Sequence, residues 1–298
     1  MTGAAQSEIL AFYRAPGAMA DVGAYAVLLD ALPSDVPSIA KAVSGLLLHQ
    51  HIAPAYGETL SPARIAEAQL RDAERILGRI LDHDKAALTK ERPLAKRTIG
   101  VCRHYTLLLV SMLRAKGYAA RSRCGFASYF EKGKFLDHWV GEYWNESKKR
   151  WIMVDAQMDD VQRTVFRIDF DPLDVPRDRF LIAGDAWKSC RDGAGDPGAF
   201  GIMEMNGWWF IAGNIVRDIA ALNKMEMLPW DVWGEMPQVG SELNATQFAR
   251  FDELAALTRD PDAHFDELVS EYNSDALKVP PVVFNAVTQR PEGVQPSP

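Results

Sequence analysis

The sequence predicts an α+β fold in which a buried helix packs on an antiparallel sheet, and three observations carry that prediction. The run Tyr105 to Met112 is apolar nearly all round and ends before Gly117, the pattern of a helix enclosed by core and stopped by glycine. Residues 138–144 and 151–155 are rich in aromatic and β-branched side chains and flank the polar Asn145-Glu146-Ser147-Lys148-Lys149-Arg150. A β-hairpin is the economical reading of that pattern. A further strand is expected over 118–130, between the helix and the hairpin.

Residues 1–60 are expected to be a helical N-terminal extension, interrupted at Pro16-Gly17, Pro33-Ser34, Pro37-Ser38 and Pro54. A surface helix is expected over 61–82. Ser61 caps it, Pro62 takes its first position, and Ile65, Leu70, Ile76, Leu77, Ile80 and Leu81 form its apolar stripe. Residues 61–162 hold the core itself. A C-terminal extension packing on the core is expected over 163–285, and a loose tail over 286–298, where Pro291, Pro296 and Pro298 stand.

The core carries the chemistry. Cys102 opens the apolar helix, where free backbone N–H groups and the positive end of the helix dipole favour a thiolate. The same N–H groups suit an oxyanion. A thiolate nucleophile needs a base, and the base needs an orienting group. His138 and Asp155 supply these residue types on the two strands. With the turn centred between Glu146 and Ser147, His138 lies directly opposite Asp155, and cross-strand partners share a face. For Cys102 alone, the competing reading is a small buried hydrophobe.

Four segments resemble the transglutaminase-like superfamily of papain-type thiol enzymes. They are Gly100-Val101-Cys102-Arg103, Leu113-Arg114-Ala115-Lys116-Gly117-Tyr118-Ala119-Ala120-Arg121, His138-Trp139-Val140 and Trp151-Ile152-Met153-Val154-Asp155. The resemblance implies a papain-like core with Cys102 as nucleophile, His138 as base and Asp155 as orienting carboxylate. It also implies an oxyanion contributor upstream of the cysteine. Gln69 and Gln50 are the candidates for that role, beside the backbone of Cys102 itself. The superfamily includes cross-linking enzymes, amidases, peptidases and inactive members, so the motifs leave the substrate open.

Four of the eight tryptophans, Trp208, Trp209, Trp230 and Trp233, fall within residues 203–233. Ile211, Ile215, Ile219 and Leu222 keep helical spacing among them, so much of this segment belongs to the core. The sharper reading is a substrate wall in which Trp208, Trp209 and Trp230 join Trp139, with Asn206 and Arg217 as polar contacts. His49-Gln50-His51 has two imidazoles and no third ligand nearby, a poor metal site. No metal or organic cofactor is expected, since a Cys-His-Asp triad needs neither.

A net charge of −7 argues against nucleic acid or an anionic membrane as partner. The first residues show no basic stretch followed by an apolar one, so no signal peptide is expected, and three irregularly spaced cysteines suit a reducing compartment. The cytoplasm is the expected location. The expected function is acyl transfer from an amide, peptide or ester carbonyl of a small molecule or peptide, with water as acceptor. The alternatives are transfer to an amine, a coenzyme-A-dependent acyltransferase lacking an evident phosphate cradle, and a non-catalytic binding module on the same fold.

Overall fold

The computed structural model describes residues 3–294. Leu10–Ser122 and Val140–Val175 form one compact unit, and Met1–Ile9, Arg123–Trp139 and Pro176–Pro298 form a second. The chain enters the first unit along α1 (Gly3–Arg14) and continues through α2 (Ala26–Leu29), α3 (Val36–Leu46) and β1 (Leu47–His49). There follow α4 (Pro62–Ile65), α5 (Ala73–His83), β2 (Thr98–Gly100) and α6 (Cys102–Ala115). β3 (Ala120–Ala127) and β4 (Phe135–Asn145) each run through both units, and β5 (Arg150–Val154) and α7 (Asp160–Val165) complete the first.

In the first unit, β1 and β2 run parallel, with Leu47 opposite Thr98 and His49 opposite Gly100. Leu48, Ala53 and Ile99 bury together beneath them, packed by Tyr56, Leu60 and Leu94. α6 is buried from Cys102 to Arg114, as its apolar run requires. Gly117 at φ +83° turns the chain out of the helix in a conformation that costs glycine little. Arg121 and Glu142 make a buried ion pair at 2.7 Å, and the guanidinium lies 3.9 Å from the centre of the Trp151 ring. A charge this deeply buried must be paired to be tolerated.

Two expectations need correction in this unit. The single helix expected over 61–82 is broken. Ser61 does cap α4, but a 3₁₀ turn over Ala66–Gln69 ends with Leu70 extended, and Asp72 caps a new helix by accepting the Arg75 N–H at 2.8 Å. The Leu70 carbonyl is taken by His104 Nε2 at 3.0 Å, so it cannot continue a helical ladder. The hairpin register also differs by two places. Gly141 pairs with Val154 and Asn145 with Arg150, so Asp155, the next residue after β5, falls toward Val140 and not opposite His138. The cause lies in the turn. Asn145 Oδ1 accepts the N–H groups of Ser147 and Lys148 at 3.1 and 2.9 Å, and Lys149 takes φ +49°, so four residues lie between the paired ends.

The second unit adds β6 (Phe180–Ile182), α8 (Ala183–Arg191), β7 (Phe200–Ile202), β8 (Met205–Asn206), α9 (Trp208–Leu222) and β9 (Asp231–Val232). α10 (Ala245–Arg259), α11 (Phe265–Tyr272), β10 (Val282–Asn285) and β11 (Arg290–Gly293) follow. The strands follow the sheet order β6-β3-β4-β7-β8, with β5 also pairing β4. That sheet is mixed, because Phe135 and Leu136 of β4 run parallel to β7 while β3–β6 and β7–β8 are antiparallel. Gly125 is required by the β3–β6 approach, where a Cβ would stand 2.2 Å from the Leu181 carbonyl oxygen.

α9 is buried from Phe210 to Leu222. Its Asp218 accepts from Arg123 Nε and Nη2, at 3.1 and 2.7 Å, and from the Cys124 N–H at 2.8 Å. The expected tail over 286–298 is in part ordered structure. β11 pairs with β10, Phe284 standing opposite Pro291, and β9 completes a three-stranded sheet; residues 295–298 lie outside the described residues. No helix among the described residues is long and apolar enough to cross a membrane.

Candidate active site

Cys102 occupies the first position of α6 and is 6 % exposed. Sequence reasoning missed the residue that sets its position. His104 N–H donates to the Val101 carbonyl at 2.8 Å, and His104 Nδ1 accepts the Val101 N–H at 3.2 Å. Its Nε2 donates to the Leu70 carbonyl at 3.0 Å. An imidazole that accepts at one nitrogen and donates at the other is neutral, with its tautomer fixed by its partners. Burial first, and then the neighbouring Arg103 charge, hold the His104 pKa down to about 3. The Nδ1 bond caps α6 from its third position, the half of a capping box that Glu or Gln supplies elsewhere. Gly100 follows from it, because a Cβ there would lie 2.9 Å from His104 Cβ. A histidine two places after the cysteine was the available signal.

Asp155 is 3 % exposed and follows β5 directly. Its N–H donates to the Pro172 carbonyl at 2.8 Å, and its Oδ1 accepts the Gln157 N–H at 3.1 Å. Asp155 and Cys102 both belong to the first unit, and one further residue relates them. Tyr105, one turn along α6 from Cys102, has its hydroxyl pKa raised well above the ordinary value. Burial is the main cause; Tyr56 and the Asp159 and Asp155 carboxylates add to it, with Arg97 opposing. Asp155 thus bears electrostatically on Tyr105, three residues after Cys102 in α6.

His138 lies in the part of β4 that belongs to the second unit and is 2 % exposed. Its ring meets Phe130, Tyr129 and Phe180 edge-on, with centroids 4.9, 5.9 and 6.2 Å away. Asp155, after the last paired residue of β5, falls toward Val140 in the hairpin register.

The residues expected to wall a substrate site are placed as follows. Arg217 donates from Nη1 to Asn214 Oδ1 at 3.1 Å and from Nη2 to the Asp231 carbonyl at 3.2 Å. Asn214 Nδ2 in turn donates to Asp137 at 2.8 Å. Loss of hydration pushes the Asp137 carboxyl up, with the Arg217 charge and the Asn214 bond working against it. Trp208 packs in an aromatic cluster, 4.9 Å from Trp187 and 5.1 Å from Phe248. Trp209 meets Phe210 edge-on at 5.3 Å. Trp230 is half-buried, and its carbonyl accepts the Ala286 N–H at 2.9 Å. Asn206 lies on β8 opposite Gly201. Trp139 is buried on β4, and its indole nitrogen has no hydrogen-bond partner among the described residues.

Of the upstream glutamines, Gln69 is half-buried at the end of its 3₁₀ turn. Gln50 follows β1 and donates its N–H to the Gly100 carbonyl at 2.9 Å. The parallel pairing of β1 and β2 thus carries Gln50 level with the residue that precedes Cys102. Its side-chain nitrogen lies 2.7 Å from His51 Nε2, and burial lowers the His51 pKa.

Residues 81–156 match the model of the transglutaminase-like superfamily. No curated protein matches the sequence. Among solved structures, a candidate cysteine protease from Cytophaga hutchinsonii aligns over 61 % of this chain and 46 % of its own length. Its sequence identity is 16 % and its TM-score 0.34, a likeness too slight to carry an argument.

Proposed function

We propose that the chain is a cysteine-dependent acyl-transfer enzyme, a reading supported by the match of residues 81–156 to the transglutaminase-like superfamily. Cys102 is its nucleophile, His138 its base and Asp155 the carboxylate that orients the base. The thiolate attacks the carbonyl carbon of an amide, peptide or ester, forming a C–S bond and an oxyanion. The oxyanion takes its hydrogen bonds from the first turn of α6, with the Gln50 carboxamide preferred over Gln69 as the side-chain contributor. The protonated imidazole then gives its proton to the leaving nitrogen or oxygen as the C–N or C–O bond breaks. Water, deprotonated by the imidazole, attacks the thioester, and C–S cleavage regenerates the thiolate. Hydrolysis is favoured over transfer to an amine because an amine acceptor needs a site of its own.

The observation that carries the proposal is the placement of a buried thiol at the first position of a buried helix, where a thiolate is favoured. The test is alkylation by iodoacetamide between pH 5 and 10, followed by intact mass and peptide mapping. The expected result is a single modification at Cys102 with an apparent pKa well below the roughly 8.5 of an ordinary cysteine. Reaction mainly at Cys124 or Cys190, or an ordinary thiol pKa at Cys102, overturns it.

A further inference from the structure

The loop that follows Asp155 is tied to the turn that follows β1 by a chain of hydrogen bonds with no signature in the sequence. Tyr56, in the 3₁₀ turn Ala53–Tyr56 after β1, donates its hydroxyl to Asp159 Oδ2 at 2.7 Å. The same hydroxyl accepts from Gln162 Nε2 at 3.0 Å. Gln162 Nε2 also donates to the Gln157 carbonyl at 3.0 Å, and Gln162 Oε1 accepts from Gln157 Nε2 at 2.9 Å. Gln157 then donates its backbone N–H to Asp155 Oδ1 at 3.1 Å. Asp159 closes the circuit by capping α7, its Oδ1 accepting the Gln162 N–H at 3.0 Å, and Arg97 lies 3.6 Å from its other oxygen.

We infer that Tyr56, Gln162 and Gln157 are positioning residues that hold the Asp155 carboxylate in its working orientation. The inference rests on the triad proposed above. Three features support it. First, each side chain has defined partners: Gln157 Nε2 donates to Gln162 Oε1, Gln162 Nε2 to the Tyr56 hydroxyl, and that hydroxyl to Asp159, so each has one orientation only. Second, Gln157 and Gln162 are each 1 % exposed, and Gln157 Oε1 is buried with no hydrogen-bond partner among the described residues. A buried amide with an unpaired acceptor is poor value for stability, since apolar residues of similar shape do as well or better. Its geometry is what such a network contributes. Third, the chain ends on Asp155 at one side and, at the other, on the turn that follows β1, the strand in register with β2 just before Cys102.

The test compares pH profiles of iodoacetamide alkylation at Cys102 for the unmodified protein, Tyr56→Phe, Asp155→Asn and the double variant. Tyr56→Phe removes one hydroxyl and keeps the ring. The expected result is a three- to tenfold fall in alkylation rate near pH 6.5, with the profile displaced toward higher pH and the limiting rate at high pH unchanged. In the Asp155→Asn background the same substitution should do nothing further, because a residue acting through Asp155 loses its effect when the carboxylate is gone. Gln157→Met, which keeps length and volume, should behave as Tyr56→Phe does and decides the matter if that variant does not fold. Equal effects of Tyr56→Phe with and without the Asp155 carboxylate would overturn the positioning role and leave the triad standing. An unchanged profile for Asp155→Asn itself would overturn the triad, and the positioning role with it.

Discussion

His104 Nδ1 accepts the Val101 N–H while His104 Nε2 donates to the Leu70 carbonyl, so one imidazole ties the residue before Cys102 to the segment between α4 and α5. The arrangement works only with a neutral ring. Unfolded, His104 returns to its ordinary value of 6.5, and the unfolded chain then binds a proton that the folded chain refuses. Stability contributed by this site is therefore complete above about pH 6.5. It falls as the pH drops toward 3, at about 1.4 kcal/mol per pH unit. Urea midpoints at pH 7.5, 6 and 5 should decline accordingly, and His104→Gln should flatten that decline.

Gly100→Ala should disturb the same turn from the other side. The added methyl group meets His104 Cβ and Cγ at 2.9 and 3.0 Å, inside ordinary contact distance. A loss of about 1–3 kcal/mol is expected, measured by urea denaturation, together with slower alkylation of Cys102 by iodoacetamide. An unchanged alkylation rate would separate the turn from the reactivity of the thiol.

Cys102→Ala should abolish turnover of any true substrate and leave the thermal transition nearly unmoved. Asp155→Asn should lower turnover by several orders of magnitude, while Cys102 still accepts the label. Cys190 supplies the internal control in both experiments, since burial, assisted by Asp196, pushes its thiol up to about 11 and it should stay unlabelled near neutrality. Undiminished turnover by Cys102→Ala would place the chemistry elsewhere.

Asp218→Asn should destabilise the second unit far more than any exposed substitution does. Arg123 is 1 % exposed and bonded to both Asp218 oxygens, so removing the carboxylate leaves a buried cation without its counter-charge. A cost of about 3–5 kcal/mol is expected. Chemical denaturation would show it, and replacing both residues by apolar ones of similar size should recover most of the loss.

Much of this structure follows from local pattern. The apolar run after Cys102 announces α6, Gly117 ends it, and Ile211, Ile215, Ile219 and Leu222 mark the buried face of α9. What escaped the sequence depends on partners distant along the chain or on the detail of a turn. The hairpin register hangs on one carboxamide, Asn145, gathering two N–H groups. The break between α4 and α5 depends on His104, whose ring holds a carbonyl 34 residues earlier. The bond between Tyr56 and Gln162 spans 106 residues, and neither residue type announces it. Cys102, His138 and Asp155 could be named from the sequence because the proposed chemistry restricts residue type and order. The surroundings of each residue are held by polar contacts that many other residue types could have supplied.

The proline on β11 has a consequence for how the molecule behaves among its own copies. Val294 donates its N–H to the Pro281 carbonyl at 3.0 Å, which makes that couple a bonded rung of the ladder. By alternation, Phe284 and Pro291 form an unbonded rung, whose strand nitrogens face away from the partner. On β11 that outward nitrogen belongs to Pro291 and carries no hydrogen. Arg290 and Glu292 flank it with charge. Val282 and Phe284 leave oily side chains exposed on the neighbouring strand, an invitation to sheet-to-sheet growth, yet the rim where an incoming strand would have to dock lacks a donor and carries charge. Concentrated solutions of the protein should resist fibril formation through this sheet, and Pro291→Val is the single change that would open the rim.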